Sequence, residues 1–441
     1  MAVVLAGWDA PLTGDSLFWW VPKALLVAEH GPSLVLAGDL PTAARPDLPL
    51  PPQWGDGLPD YGHPPLWYWW LGAFLAVLGP THHAVHAAAL LPAALLGWGV
   101  HGLVRRAAGP ERARFAPALL LFPPVVALLQ SADTDLPLLA LTPWALIAAL
   151  DRKDGWFAVV AAVATACKEP GILLVVPLGL CMLLDRRWSW AWLAPLATLA
   201  GWAALHHAET GWALAGSERL PESVGGWLRD LASAAWILVG EQGRWLLVLV
   251  AAWGVRRRPP RRRALLVLLG FGAAWWLFFG TLNFLGGLDR ADTHTHVRYF
   301  APGLVALGAA AVACTPVAAG VAALTSLLFL HQPSTWGPEA SLWGIDTARA
   351  VRDAAEELPG DTQVGTYAYV QLTRPYAAGV DLGEDVSFYA FGTRPEDAAD
   401  HLLHADVGEP LGRLQELDLV EQDTWKVHSG GARLYRVERR W

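Results

Sequence analysis

HPPLWYWWLGAFLAVLG, residues 63–79, is the stretch whose reading decides the topology of this chain. Proline has a fixed φ and no N–H, so Pro64-Pro65 suits the first turn of a helix. The apolar run behind the prolines is about 14–16 residues long, short of the ~20 needed to cross a bilayer. It is also dense in aromatics: Trp67, Tyr68, Trp69 and Trp70 follow one another. Such a helix either makes a short crossing or lies in the interface, where a ring with one polar atom is half wet. The charges of the flanking loops decide between the two.

Composition sets the class. Of 441 residues, 54% are hydrophobic and 16% charged, with mean hydropathy +0.33. Ordinary soluble domains carry roughly 25% charged residues, so the chain reads as a polytopic α-helical membrane protein. Tryptophan is abundant, at 25 residues, and prefers the headgroup level. A net charge of −8 excludes the electrostatic footprint of a nucleic-acid binder. Cys167, Cys181 and Cys314 sit in or at the ends of apolar segments and read as core residues, with no disulfide or metal framework.

About ten spans are expected, at 83–104, 115–130, 136–150, 155–168, 171–184, 188–205, 241–255, 264–284, 299–314 and 317–331. The loops between them fall into two sets. Arg105, Arg106, Arg112 and Arg114 make one basic loop; Arg152 and Lys153, Arg186 and Arg187, and RRRPPRRR (256–263) make the others. SADTDLP (131–137), KEPG (168–171), residues 206–230 and GGLDRADTHTH (286–296) are acidic or neutral. With the basic loops cytoplasmic, the sets alternate strictly, provided that 63–79 does not cross. It is therefore expected to be an interfacial helix. The segment 227–255 reads either as one tilted span or as a surface helix plus a short span. Glu241 and Arg244 favour the second, because charge inside hydrocarbon is costly.

This organises the chain as a first external loop with juxtamembrane helices (1–82), a transmembrane module (83–332) and a small extracytoplasmic α/β domain (333–441). In the last, DTARAVRDAAEELPG (346–360) has helical periodicity. TQVGTYAYV (362–370), VSFYAF (386–391), TWKVH (424–428) and ARLYRV (432–437) read as strands, and 394–420 as helical.

Parity gathers the chemistry-bearing residues on the external face: Asp15, His63, Asp133, Asp135, Lys168, Glu169, Arg298 and Tyr299. Acidic and basic groups at a membrane surface suit a lipid-borne phosphate: cations hold it and a carboxylate takes a proton. Each residue also has a structural reading. Asp15 before Ser-Leu-Phe is a good helix N-cap, Asp135 starts a helix, His63 is a wet interface residue, and Lys168 and Arg298 are snorkelling charges. The cluster Asp289, Asp292, His294 and His296 is poor evidence for a metal, and no cofactor is expected.

Taken in order, GDSLFWWVPKALL, YGHPPLWYWWLGAF, TDLPLLAL, CKEPGILLVVPL and VRYFAPGL resemble the motifs of the GT-C superfamily glycosyltransferases. The protein O-mannosyltransferase and aminoarabinose transferase types, of glycosyltransferase family 39, are the most similar branches, and the resemblance covers about residues 9–331. It implies catalytic roles for Asp15 and Asp135 and substrate binding by His63, Lys168, Arg298 and Tyr299. It also implies a polyprenyl-phosphate sugar donor, a glycan, lipid or protein acceptor, and inversion at the sugar. The pattern departs in two places. The family often has Asp-Glu where this chain has Asp15-Ser16, and the Lys-Gly-Pro turn reads Lys168-Glu169-Pro170-Gly171. The family also has a transmembrane helix before the catalytic loop, where this sequence has MAVVLAG, so a first span upstream of residue 1 is expected. A lipid-linked glycan transporter or a truncated, inactive homologue are the competing readings. A transporter would carry polar or broken helices at the midplane.

Overall fold

The computed structural model describes residues 4–5, 8, 20–34, 61–79, 81–210, 213, 223–240, 244–257, 262–281 and 297–328, and strands 363–367, 387–390, 401–405, 418–427 and 430–438. The chain divides into two compact units. One comprises Met1–Val4, Tyr61–Trp67 and Ala89–Ala340; the other Leu5–Asp60, Tyr68–Ala88 and Ser341–Trp441.

In the first unit the helix Ala301–Cys314 is buried along its whole length. Its composition, APGLVALGAAAVAC, explains this, because small side chains let neighbouring helices approach its backbone. Gly303 lies against Trp275, and Gly308 against Leu119 and Phe122. On neighbouring helices Gly254 lies against Cys314 and Gly272 against Leu307. Cys167, Cys181 and Cys314 are all buried, as expected of core residues.

The remaining helices follow the expected segments with instructive breaks. Residues 63–79 contain the helix Leu66–Leu78, which starts after the two prolines and stops at Gly79, whose φ is +85°. The 115–130 segment is not one straight rod: Pro110–Leu121 and Pro123–Leu129 meet at 74°, because Pro123 and Pro124 cannot continue the preceding turn. After Lys168, residues 169–184 begin as a 3-10 turn, Glu169–Leu174, before the α-helix Val175–Asp185. The ambiguous 227–255 segment resolves into two helices, Val224–Ala235 and Trp245–Arg257, with a wide turn, Trp236–Gly240, after the first.

Among the described residues, two helices are long and apolar enough to cross a membrane, His82–Ala108 and Arg262–Thr281; the bent pair makes a third if it is one span. Leu66–Leu78, Asp135–Leu150, Asp154–Cys167 and Arg298–Cys314 are apolar but shorter.

The basic and acidic loops lie at opposite ends of the same helices. At one end Asp185 accepts from Arg263 Nη2 at 2.7 Å and Arg152 Nε at 3.1 Å, and Arg187 Nη1 donates to Asp154 at 2.7 Å. Arg263 also donates to the carbonyl of Leu150 at 2.9 Å, and Arg106 pairs with Asp151. The arginines read as orientation signals thus also tie loop to loop. At the other end of the helix Asp135–Leu150 stands Asp135, and at the other end of Asp154–Cys167 stands Lys168. A helix of this length separates its ends by about 24 Å.

In the second unit the helix Val21–His30 packs on the aromatic segment. A Cβ on Gly72 would come within 2.7 Å of the Val27 side chain, so glycine permits this approach. Trp69 donates its indole N–H to Ser33 O at 2.8 Å, and Trp70 to Ala88 O at 2.9 Å. The buried Lys23 places its ammonium 5.8 Å from the Tyr68 ring centre.

The same unit holds a five-stranded mixed sheet: β1 Gln363–Tyr367, β2 Ser387–Ala390, β3 His401–Ala405, β4 Asp418–Val427 and β5 Gly430–Glu438, in the order β2-β1-β3-β5-β4. β1 pairs parallel with β2 and β3; β5 pairs antiparallel with β3 and β4. Four of the strands fall where the pattern places them. The helical reading of 394–420 is overturned, since β3 lies inside it and β4 begins at Asp418. HLLHA has no strict alternation, and pairing with β1 on one side and β5 on the other makes it a strand. The expected helix at 346–360 lies outside the described residues.

Candidate active site

Four charged side chains from three separate parts of the sequence meet in the interior of the first unit. Asp133 lies in the turn before the helix Asp135–Leu150, and Asp135 is the first residue of that helix. Lys168 caps the C-terminus of Asp154–Cys167 in extended conformation, and Arg298 comes from the 3-10 turn Val297–Phe300. All four are buried, at 6% exposure or less. Charges so far from water persist only when paired and hydrogen-bonded.

Lys168 Nζ donates to Asp135 Oδ2 at 2.6 Å. Arg298 Nη1 lies 2.8 Å from Asp133 Oδ2, and Arg298 Nε lies 3.7 Å from Asp135 Oδ2. The Thr134 hydroxyl donates to Asp133 Oδ1 at 3.1 Å. The guanidinium thus stands against both carboxylates, and the ammonium closes the set from the Asp135 side. The formal charges cancel.

Tyr299 is the aromatic wall of the cluster. Lys168 Nζ lies 4.8 Å and Arg298 Cζ 5.1 Å from its ring centre, so both cations face its electron-rich surface. Arg298 Nη2 is also 3.3 Å from the Tyr299 hydroxyl. The ring stacks on Phe279 with centroids 5.6 Å apart and planes 5° from parallel, and the Trp275 indole donates to the Tyr299 carbonyl.

The electrostatics follow. Burial by itself would raise Asp133. Arg298, then Lys168, with the Thr134 hydroxyl and the Asp135 amide, outweigh it and hold Asp133 below the ordinary carboxylate range.

Beside this cluster is a second pair. His63 Nδ1 lies 3.0 and 2.9 Å from the two carboxylate oxygens of Glu169, which follows Lys168 in sequence. Glu169 is the residue that departs from the Lys-Gly-Pro pattern. Its carboxyl, raised by burial, is lowered more by His63 and ends below the ordinary range. The turn carrying Lys168 and Glu169 is also fixed from behind. A Cβ on Gly171 would lie 2.6 Å from the Cα and N of Thr165, so only glycine lets the turn close on the helix.

Of the expected site residues, Asp135, Lys168, Arg298 and Tyr299 come together, and His63 joins them through Glu169, the neighbour of Lys168. Asp15 lies outside the described residues, as do Asp289, Asp292, His294 and His296. Asp133, to which the resemblance gives no role, also belongs to the cluster, through Arg298. Phe279 and Trp275 carried no sequence signal beyond their aromatic character. Among the described residues no group of three or more His, Cys, Asp or Glu could hold a metal ion.

Comparison with known proteins adds to this geometry. A family model described as dolichyl-phosphate-mannose-protein mannosyltransferase matches residues 62–209. The fold is similar to the crystal structure of ArnT from Cupriavidus metallidurans bound to undecaprenyl phosphate, with TM-score 0.55 and 14% sequence identity, over 98% of this chain and 96% of that one. No curated protein matches. The two matches support the GT-C superfamily resemblance that the ordered motifs carry.

Proposed function

We propose that this chain is a multi-pass membrane glycosyltransferase of the plasma or inner membrane. It moves a sugar from a polyprenyl-phosphate donor to an extracytoplasmic glycan, lipid or protein acceptor, with inversion. The observation that carries the reading is the buried Asp133–Arg298–Asp135–Lys168 cluster under Tyr299, at the helix ends opposite the basic loops, in a fold similar to that of ArnT.

The donor is a phosphodiester with one negative charge, and the departing polyprenyl phosphate carries a second as the glycosidic bond breaks. Lys168 and Arg298 are cations held in place before the substrate arrives, which is the arrangement that stabilises developing charge without reorganisation. The acceptor oxygen or nitrogen attacks the anomeric carbon from the face opposite the phosphate. The C–O bond to phosphate breaks and its electron pair leaves on the phosphate oxygen. The acceptor's proton passes to Asp15, the carboxylate that leads the motif order. Asp135 and Asp133 hold the two cations and orient the reacting groups; His63, anchored by Glu169, lies on the donor side. Burial of the prenyl tail against apolar helix faces contributes much of the donor affinity. The transmembrane module is assigned to 83–332 with about ten crossings, and the sheet-bearing region 333–441 to the external side.

Two measurements test this. Native mass spectrometry of the purified protein with a polyprenyl-phosphate sugar should show a bound donor. Asp15→Asn should abolish transfer without changing expression, and near-normal turnover by that variant would remove Asp15 from the mechanism.

A further inference from the structure

The two carboxylates of the cluster hang on one unusual residue. Ala132 links the helix Pro123–Ser131 to Asp133 with φ 49° and ψ 34°, the left-handed conformation that residues with a Cβ disfavour. Helices commonly end on glycine in this position. Here the position is filled by an alanine buried to 1% exposure. Something must hold the chain in this conformation.

The partner is Trp67. Its indole Nε1 donates to the carbonyl of Ala132 at 3.1 Å, across 65 residues of sequence. Trp67 is itself buried, so its single N–H has to find an acceptor inside the protein. It sits just after Pro64-Pro65-Leu66, in the first turn of Leu66–Leu78, where the prolines fix the backbone direction. Downstream, the Leu136 N–H donates to the Asp133 carbonyl at 2.9 Å, closing the turn that carries Asp133, Thr134 and Asp135. The handedness at Ala132 sets the direction in which the chain leaves one helix and enters the next. It therefore decides whether Asp133 reaches Arg298 and Asp135 reaches Lys168.

We propose that Trp67 is a positioning residue: its indole N–H holds the left-handed Ala132 link and so aims Asp133 and Asp135 at Arg298 and Lys168. The role requires the N–H as well as the ring, and so gives the tryptophan of the Pro-Pro-Leu-Trp segment a chemical reason. It rests on the glycosyl-transfer reading for its effect on turnover, but the positioning itself can be measured without substrate.

The experiment is a double-mutant cycle on the purified full chain, read by thermal unfolding. Trp67→Phe keeps a ring and removes the donor; Asp133→Asn weakens the pair with Arg298. If Trp67 acts through Asp133, the double variant loses less than the sum of the single losses. Trp67→Phe with Leu146→Ala, a buried change elsewhere in the core, adds simply. Ala132→Gly, which reaches the left-handed region freely, should restore much of the Trp67→Phe loss. The same variants are then assayed for transfer. Trp67→Phe is expected to lower kcat/KM for the donor about tenfold per folded molecule, the scale of one lost hydrogen bond, and Ala132→Gly to recover most of it. Additive stabilities for Trp67→Phe and Asp133→Asn would overturn the proposal. So would a Trp67→Phe enzyme with wild-type kcat and KM. Coupling in stability with no transfer by the wild type would keep the positioning and defeat the functional reading.

Discussion

Lys168 Nζ stands 2.6 Å from Asp135 Oδ2, and both side chains are all but sealed from water. Neither charge is tolerable there alone. Lys168→Met should therefore cost about 3–5 kcal/mol of stability, the scale for breaking one partner of a buried pair. Lys168→Met with Asp135→Asn should be more stable than Lys168→Met alone, because no unpaired charge remains. Thermal unfolding in detergent of the two singles and the double decides this, and a double variant worse than both singles would contradict it. Donor binding should be lost in every variant lacking Lys168.

Arg298 is expected to resist even conservative replacement. Its guanidinium lies 2.8 Å from Asp133 and 3.7 Å from Asp135, and faces the Tyr299 ring. A lysine ammonium is a point charge on a flexible stem and cannot make both contacts and the stacking together. Arg298→Lys should reduce donor kcat/KM by tenfold or more, equivalent to about 1.4 kcal/mol per factor of ten. Steady-state kinetics over a donor concentration series measures it.

The Glu169–His63 contact makes a pH prediction with a definite sign. The Glu169 carboxyl is lowered from its ordinary value of 4.5. The folded state therefore binds this proton less readily than the unfolded chain. The stability it contributes is present above 4.5 and is lost as pH falls from there through the lower folded value. Asp133, also lowered, from 3.8, adds a loss of the same sign further into acid. Melting temperature should fall on acidification below that point, and Glu169→Gln should flatten the first part of the decline. An unchanged acid limb in Glu169→Gln would count against the contact.

Glycine substitutions separate tight packing from mere sequence position. Gly171→Ala would push a Cβ to 2.6 Å from the backbone of Thr165, which cannot swing aside, whereas a Cβ on Gly155 meets nothing within 4 Å. Gly171→Ala should cost about 1–3 kcal/mol, the range for overpacking, and should weaken donor binding by moving the Lys168 turn. Gly155→Ala, inside the helix Asp154–Cys167, should be neutral or stabilising by up to about 1 kcal/mol. Melting temperatures of the pair provide the check.

The sequence by itself determined the class of the protein, most helix positions and four of the five strands. Those features rest on apolar run length, loop charge and local alternation, which are properties of neighbouring residues. It also named Asp135, Lys168, Arg298 and Tyr299 as residues on one side of the chain. The tertiary structure decided how they pair, because contacts between residues 133, 168 and 298 depend on how three helix ends are packed. It made His401–Ala405 a strand through partners on both sides. It bent the proline-interrupted segment by 74°. It gave Glu169 a histidine 106 residues away and Trp67 a carbonyl 65 residues away. A buried charge or donor must find its complement wherever the fold brings one. That complement is set by the packing of helices, and no local pattern encodes it.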